Sequence, residues 1–158
     1  MMDLFFNFDE LFHSDEAIKH GWNNTTSDPK KLTALMNLTW YVLNPTRVEV
    51  FKKYGVGISV ENGFRCESLR AFLKAAKTGH PDGECADLTC SKLTAKDLFY
   101  FMIDLVKRKI IEVDQLILEH NKNGDCLHVG YRRNACRHQI MIRTINTDGS
   151  YKYTPVQA

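Results

Sequence analysis

The chain has 158 residues, of which 44% are hydrophobic and 25% are charged, and its formal net charge is +2. This size and mix are those of one ordinary globular domain with a core of its own. The small charge gives no reason to expect a nucleic-acid partner, and no apolar run approaches the ~20 residues that span a bilayer. The start, MMDLFFNFDELF, is apolar but acidic and lacks the basic beginning of a secretory signal, so we expect synthesis in a cytosol.

The first part of the chain is predicted to be helical. Residues 1–28 form a lead-in segment with short helical turns, which ends in the polar run NNTTSDP. Asp28 followed by Pro29 is typical of a helix start, because the carboxylate caps free N–H groups and proline suits the first helical position. The spacing of apolar residues predicts a helix from there to Gly55, kinked or divided at Pro45.

The remainder predicts a mixture of strands and helices. VGISVENGF reads as a strand, CESLRAFLKAAK as a short helix stopped by Gly79, and AKDLFYFMIDLVKRK as a helix capped by Thr94. DQLILEH, CLHVGYR and RHQIMIRTI are three late strands. Because the predicted helices come first and the strands cluster late, we expect an α+β fold with N-terminal helices packed on a mainly antiparallel sheet. We expect a single domain over 29–145, followed by a C-terminal tail over 146–158.

The five cysteines are Cys66, Cys85, Cys90, Cys126 and Cys136. Their odd number and the lack of a C-x-x-C pair favour reduced thiols that act as small apolar side chains. A Cys85–Cys90 bridge and a role for Cys126 as a metal ligand are the alternatives.

The stretch HPDGECADLTC, residues 80–90, has the residues for half of a metal site. A catalytic zinc ion takes three protein ligands and leaves one position open, and His80 and Asp87 are ligands of the right kind. A helix is unlikely to bring them together, because Pro81 and Gly83 interrupt it. A loop that turns at Gly83 and enters a strand near Asp87 would bring both side chains to one point.

The third candidate ligand is His128, in GDCLHVGYR. Alternation along a strand puts Leu127 and Val129 on one face, as core, and His128 on the other face between the small residues Cys126 and Gly130. This leaves room above the histidine for a metal. The competing interpretation is a structural histidine, which is the commoner role of a single histidine on a strand.

Asp125 is a candidate general base for the same site. Residues three apart on a regular strand point to opposite faces, but Asp125 follows the turn NKNG and can curl towards His128 at the start of the strand. There its carboxylate would take a proton from the attacking water. Ordinary turn chemistry is the alternative role for an aspartate in this position.

Three blocks of the sequence resemble one family. TGHPDGECAD resembles the pattern S-x-H-x-x-G-x-A-x-D, DCLHVGY resembles the D/E-x-x-H signature, and NGFRCESL resembles SGYRSPEL. The chain thus looks like the zinc D-Ala-D-Ala carboxypeptidases and phage L-alanyl-D-glutamate endopeptidases, which cut bacterial cell-wall peptides. The lead-in segment is also similar to that of many phage members.

The resemblance implies Zn²⁺ held by His80, Asp87 and His128, with Asp125 as general base and Arg65 steadying the substrate carbonyl or the developing oxyanion. It also implies a substrate-binding surface, formed by Thr78, Gln115 and Tyr131. Gln115 or His138 is further expected to orient a ligating histidine.

This sequence departs from the family pattern at four positions. Thr78 replaces the family serine but keeps a hydroxyl, Cys85 replaces a small alanine, and Cys66 replaces the serine after the arginine. Cys126 replaces a tryptophan, which removes aromatic wall near the site. None of these changes removes an expected ligand.

The expected function is therefore that of a phage-lysin-like peptidoglycan peptidase, most simply an L-Ala-D-Glu endopeptidase acting on stem peptides. We expect a monomer, made in the host cytoplasm if the chain is viral and acting at the bacterial cell wall. A D-Ala-D-Ala carboxypeptidase and a non-catalytic zinc-binding virion or structural domain are the alternatives. Nucleic-acid binding through YRRNACRHQIMIR is disfavoured, because apolar alternation explains its arginines as a solvated strand face.

Overall fold

The computed structural model describes residues 5–74 and 79–157, and these residues form a single α+β domain. Its helices are α1 (Phe8–Phe12), α2 (Asp15–Lys19), α3 (Pro29–Leu38), α4 (Asn44–Tyr54), α5 (Glu67–Phe72) and α6 (Ala95–Lys107). Its strands are β1 (Ile58–Asn62), β2 (Cys85–Cys90), β3 (Gln115–Asn121), β4 (Gly124–Gly130), β5 (Gln139–Ile145) and β6 (Tyr151–Pro155). No helix of this described part is long and apolar enough to cross a membrane.

The predicted long helix is present, and it begins and ends where local chemistry indicates. The Asp28 carboxylate accepts a hydrogen bond from the Lys30 N–H at 2.8 Å, and Gly55 ends α4 in the left-handed conformation. A π-helical turn over Thr39–Leu43 joins α3 to α4. This wider turn lies just before Pro45, which has no N–H to donate to the preceding turn.

The six strands form one sheet in the order β1-β2-β4-β3-β5-β6. Every neighbouring pair is antiparallel except β3 and β5, which confirms the predicted mainly antiparallel sheet. The strand β6 lies in the segment expected to be a tail. Its residues, YKYTP, are all exposed, so no buried face marked it in the sequence.

One face of the sheet forms the core. The helix α6 packs across β2, β3 and β4, and its start is fixed by a capping box between Thr94 and Asp97. The side chains that meet it are almost fully buried: Leu88, Leu116, Leu118, Leu127 and Val129. The alternate residues of these strands face the other side of the sheet, where the candidate site lies.

The lead-in segment packs on the domain through Asn24. Its side-chain amide donates to the carbonyl oxygens of Phe12 and Phe64, and its Oδ1 accepts from the Cys66 N–H at 2.8 Å. Asn24 is buried, and all three bonds have good length. The lead-in therefore helps to hold the 64–66 segment, which carries Arg65.

The predicted helix CESLRAFLKAAK is shorter in the structure, where α5 ends at Phe72. Residues 75–78, and with them Thr78, lie outside the described part of the chain. Gly79 therefore follows the helix at a distance and does not itself form its C-cap.

Candidate metal centre

His80, Asp87 and His128 come together in the structure at the junction of β2 and β4. Asp87 and His128 lie directly opposite each other on the two strands. His80 precedes β2 in a short 3-10 turn, and Gly83, at φ +75°, redirects the chain into that strand. All three side chains are buried, with 1%, 6% and 7% of their surface exposed.

One carboxylate oxygen of Asp87 lies near a ring nitrogen of each histidine. Oδ1 of Asp87 lies 3.0 Å from Nδ1 of His128 and 3.4 Å from Nε2 of His80. Two nitrogen or oxygen ligands on one tetrahedral zinc ion, each at about 2.0–2.1 Å from the metal, lie about 3.3 Å apart. Both distances between Asp87 and the histidines are close to this value, so each histidine could share one metal ion with Asp87.

The orientation of His80 is fixed by its second ring nitrogen. Nδ1 lies 2.7 Å from the Gly63 carbonyl oxygen, to which it donates as an N–H. This bond selects the tautomer in which the lone pair of Nε2 points towards Asp87. A histidine that binds a metal through one ring nitrogen commonly donates from the other to a backbone carbonyl, as His80 does to Gly63.

Cys85 joins the same cluster. One ligand atom each of His80, Cys85 and His128 lie within 4.8 Å of one another, so these three residues could hold a metal ion. The thiol is 2% exposed, and burial, together with the Asp87 charge, raises its pKa well above the ordinary range. Among the cysteines, Cys126 and not Cys85 was the ligand that the sequence suggested, although Cys85 and Asp87 are two apart on one strand and so share a face.

Asp87 is ionised in this environment. Burial alone raises the pKa of its carboxyl group, but the adjacent imidazoles, His128 first and then His80, lower that pKa well below the usual range. Nη2 of Arg65 also contacts Oδ2 of Asp87, at 3.3 Å. Nε of Arg65 is buried without a hydrogen-bond partner in the described residues, which leaves one donor of this guanidinium unused beside the cluster.

Asp125 is not brought into the cluster. The hairpin between β3 and β4 is so tight that β4 is regular from Gly124 onwards, and Asp125 pairs with His120 across the ladder. Its Oδ1 lies 2.7 Å from Nδ1 of His120. Strand alternation therefore places Asp125 on the face opposite to His128, and the expected curl towards the metal is not seen.

Among the described residues, Gln115, Tyr131 and His138 contact partners other than the three clustered side chains. Gln115 is on the same sheet face, where its amide donates to Gln139 at 2.9 Å. Tyr131 is buried and stacks on Tyr41, with ring centroids 5.2 Å apart. His138 is exposed and lies near Glu112, so it orients neither ligating histidine.

Glu119 is a carboxylate on the sheet face of His128 that was not expected from the sequence. It lies opposite Cys126 in the ladder, one alternation away from His128, and pairs with Arg143 at 3.1 Å. Burial raises the pKa of Glu119 although the Arg143 charge opposes that change. Its position on β3, next to a strand with a metal ligand, is visible only once the strand pairing is known.

A scan against models of known protein families gives no match, and a search of curated proteins finds no significant relative.

Proposed function

We propose that this chain is a zinc-dependent peptidase that hydrolyses peptide bonds of bacterial peptidoglycan, with the L-Ala-D-Glu bond as its target. One observation carries the proposal: two histidines and a carboxylate, from two motifs 41 residues apart at Asp87 and His128, meet at metal-ligand spacing in a buried cluster. The resemblance to cell-wall peptidases supplies the substrate class. A D-Ala-D-Ala carboxypeptidase would use the same ligands, so the released products distinguish the two activities.

Zinc is the metal that suits this donor set. Neutral imidazole and carboxylate ligands in a set of three are typical of catalytic zinc sites. When bound, zinc supplies a Lewis acid that activates water and polarises the peptide carbonyl. His80, Asp87 and His128 would hold it, and the Gly63 carbonyl would keep the His80 ring in the ligating tautomer.

Arg65 would bind the reacting carbonyl. Its guanidinium is anchored on Asp87, and its buried Nε–H has no partner among the described residues. An unused buried donor costs about 1–3 kcal/mol, so a substrate oxygen that accepts from it recovers that cost. A fixed cation beside the cluster also stabilises negative charge that develops on this oxygen.

Two carboxylates are candidates for the general base. Asp125 has the position that the family resemblance implies, but its side chain bonds to His120 on the opposite face. Glu119 lies on the site face, and its raised pKa makes its carboxylate a better proton acceptor than an exposed one. The geometry favours Glu119, and the resemblance favours Asp125.

A non-catalytic metal domain is the second candidate function. The specific observation in its favour is Cys85, because a fourth protein donor is typical of closed structural zinc sites, whereas catalytic sites keep one position open.

Digestion of purified peptidoglycan tests the proposal. Zinc-loaded protein should release peptides cut after L-Ala, as seen by mass spectrometry, and a chelator should abolish the release. His128→Ala should be inactive, whereas His138→Ala, a change at an exposed histidine outside the cluster, should act as wild type. Release of free D-Ala would instead assign a carboxypeptidase, and unchanged muropeptides with bound zinc would favour the non-catalytic domain.

A further inference from the structure

Cys85 has its sulfur atom close to the ring nitrogens of His80 and His128. It is almost fully buried, forms no disulfide, and lies on the same face of β2 as Asp87. Its ligand atom falls within 4.8 Å of those of His80 and His128. A residue packed only for its volume could be an alanine, as it is in the family pattern that this stretch resembles.

Two glycines lie next to Cys85. Its partner across the ladder is Gly130, which has no side chain to cover this face. The backbone of Gly79 lies on another side, where an added Cβ would come within 3.3 Å of the sulfur. The thiol thus lies between two glycine backbones, within 4.8 Å of a ring nitrogen of His80 and of His128.

We propose that Cys85 is a fourth protein ligand of the metal ion held by His80, Asp87 and His128, and that its thiolate occupies the position that the attacking water needs. This inference rests on the metal assignment made in the proposed function. Formation of the sulfur–metal bond releases the thiol proton to solvent, and exchange of the thiolate for water returns a proton to the sulfur. The resting centre is therefore closed, and it opens only when Cys85 leaves the metal.

Two consequences follow from a thiolate ligand. Sulfur donors favour thiophilic ions, so the site should prefer Zn²⁺, Co²⁺ and Cd²⁺ over Mg²⁺ or Mn²⁺. Removal of the sulfur should leave a three-ligand site with an open position, as catalytic zinc centres have. Cys85→Ala should therefore bind zinc more weakly but hydrolyse peptidoglycan several-fold faster than the wild type.

Cobalt substitution tests the inference without reference to activity. Full-length protein is stripped of metal and titrated with Co²⁺, while its near-ultraviolet and visible absorption is recorded. The wild type should show a thiolate-to-Co²⁺ charge-transfer band at one equivalent, and Cys85→Ala should lose that band but keep the weaker bands of tetrahedral Co²⁺. Cys126→Ala is the matched control, because Cys126 also lies near the cluster on the same sheet face. It should keep the charge-transfer band.

Each result bears on the proposal. The assignment of Cys85 as a ligand is overturned if the wild type shows no thiolate band. It is also overturned if the band disappears in Cys126→Ala and remains in Cys85→Ala. Far-ultraviolet circular dichroism checks that each variant is folded, and Cys85→Ser, which keeps the size of the side chain, should also lose the band. If the thiolate band appears but the muropeptides are unchanged, Cys85 is supported as a ligand and the peptidase proposal is contradicted. If peptidoglycan is hydrolysed but the band is absent, the peptidase proposal is supported and Cys85 as a ligand is contradicted. Failure of the wild type to bind Co²⁺ would contradict both the peptidase proposal and the assignment of Cys85.

Discussion

Gly83 connects the first ligand motif to the helical layer, and its replacement by alanine is expected to damage both stability and metal binding. At φ +75° an alanine is strained, which costs about 1–2 kcal/mol. An added Cβ would also lie 2.7 Å from the Lys31 carbonyl oxygen and 2.8 Å from Cγ of Leu35, both in α3. Overpacking of this kind costs about 1–3 kcal/mol. Gly83→Ala should thus lower the free energy of unfolding by about 2–5 kcal/mol.

Gly55→Ala is the matched control for this substitution. Gly55 has a similar φ of +71°, but nothing lies within 4 Å of its added Cβ, so only the conformational cost applies. Urea unfolding of metal-free protein should show a loss about 1–3 kcal/mol larger for Gly83→Ala than for Gly55→Ala. Zinc affinity should fall only in Gly83→Ala, because relief of the clash moves His80 relative to Asp87. Equal losses of stability in the two variants, with equal zinc affinity, would refute this reasoning.

Three further predictions concern pH, proton transfer and the metal. Burial opposes ionisation of Asp114, but hydrogen bonds from Arg137 outweigh this effect and lower the pKa of the Asp114 carboxyl group. The ionised carboxylate therefore stabilises the folded protein at neutral pH, and this stabilisation is lost as the pH falls through the lowered pKa. Asp114→Asn should therefore cost about 2 kcal/mol of unfolding free energy at pH 7, and urea titrations should show the difference shrinking below about pH 4. With Glu119 as the general base, Glu119→Gln should abolish peptidoglycan hydrolysis and keep the zinc content, while Asp125→Asn should retain activity. The opposite pattern would identify Asp125 as the general base. When free zinc is at a thousandfold excess over its Kd, its removal should lower the free energy of unfolding by about 4 kcal/mol, as measured by thermal scans with and without chelator. His128→Ala should show no such change.

Local chemistry made much of the fold predictable. The Asp28–Pro29 start, the Gly55 end and the Thr94 cap each act within one helical turn, so the sequence is enough to place them. Strand alternation likewise put His128 on the face away from the core, where the structure has it. These predictions depend on neighbours a few residues away and need no knowledge of which strands pair.

The remaining features depend on pairing between distant segments. The position of Asp125 is set by where the β3–β4 hairpin begins, and one residue of register decides which face it takes. Glu119 lies on the sheet face of His128 only because β3 lies beside β4, and Cys85 comes near His128 only because β2 lies on the other side. The capping of the 64–66 segment by Asn24 also spans about forty residues, a distance at which the sequence carries no local signal.

The central claim is that a zinc ion binds between His80, Asp87 and His128. A crystal of zinc-loaded protein, with anomalous data collected on both sides of the zinc absorption edge, tests it most directly. The account predicts one strong peak within about 2.0–2.2 Å of Nε2 of His80, a carboxylate oxygen of Asp87 and Nδ1 of His128. A peak elsewhere, or no zinc peak in protein that was loaded at one equivalent, would contradict the account.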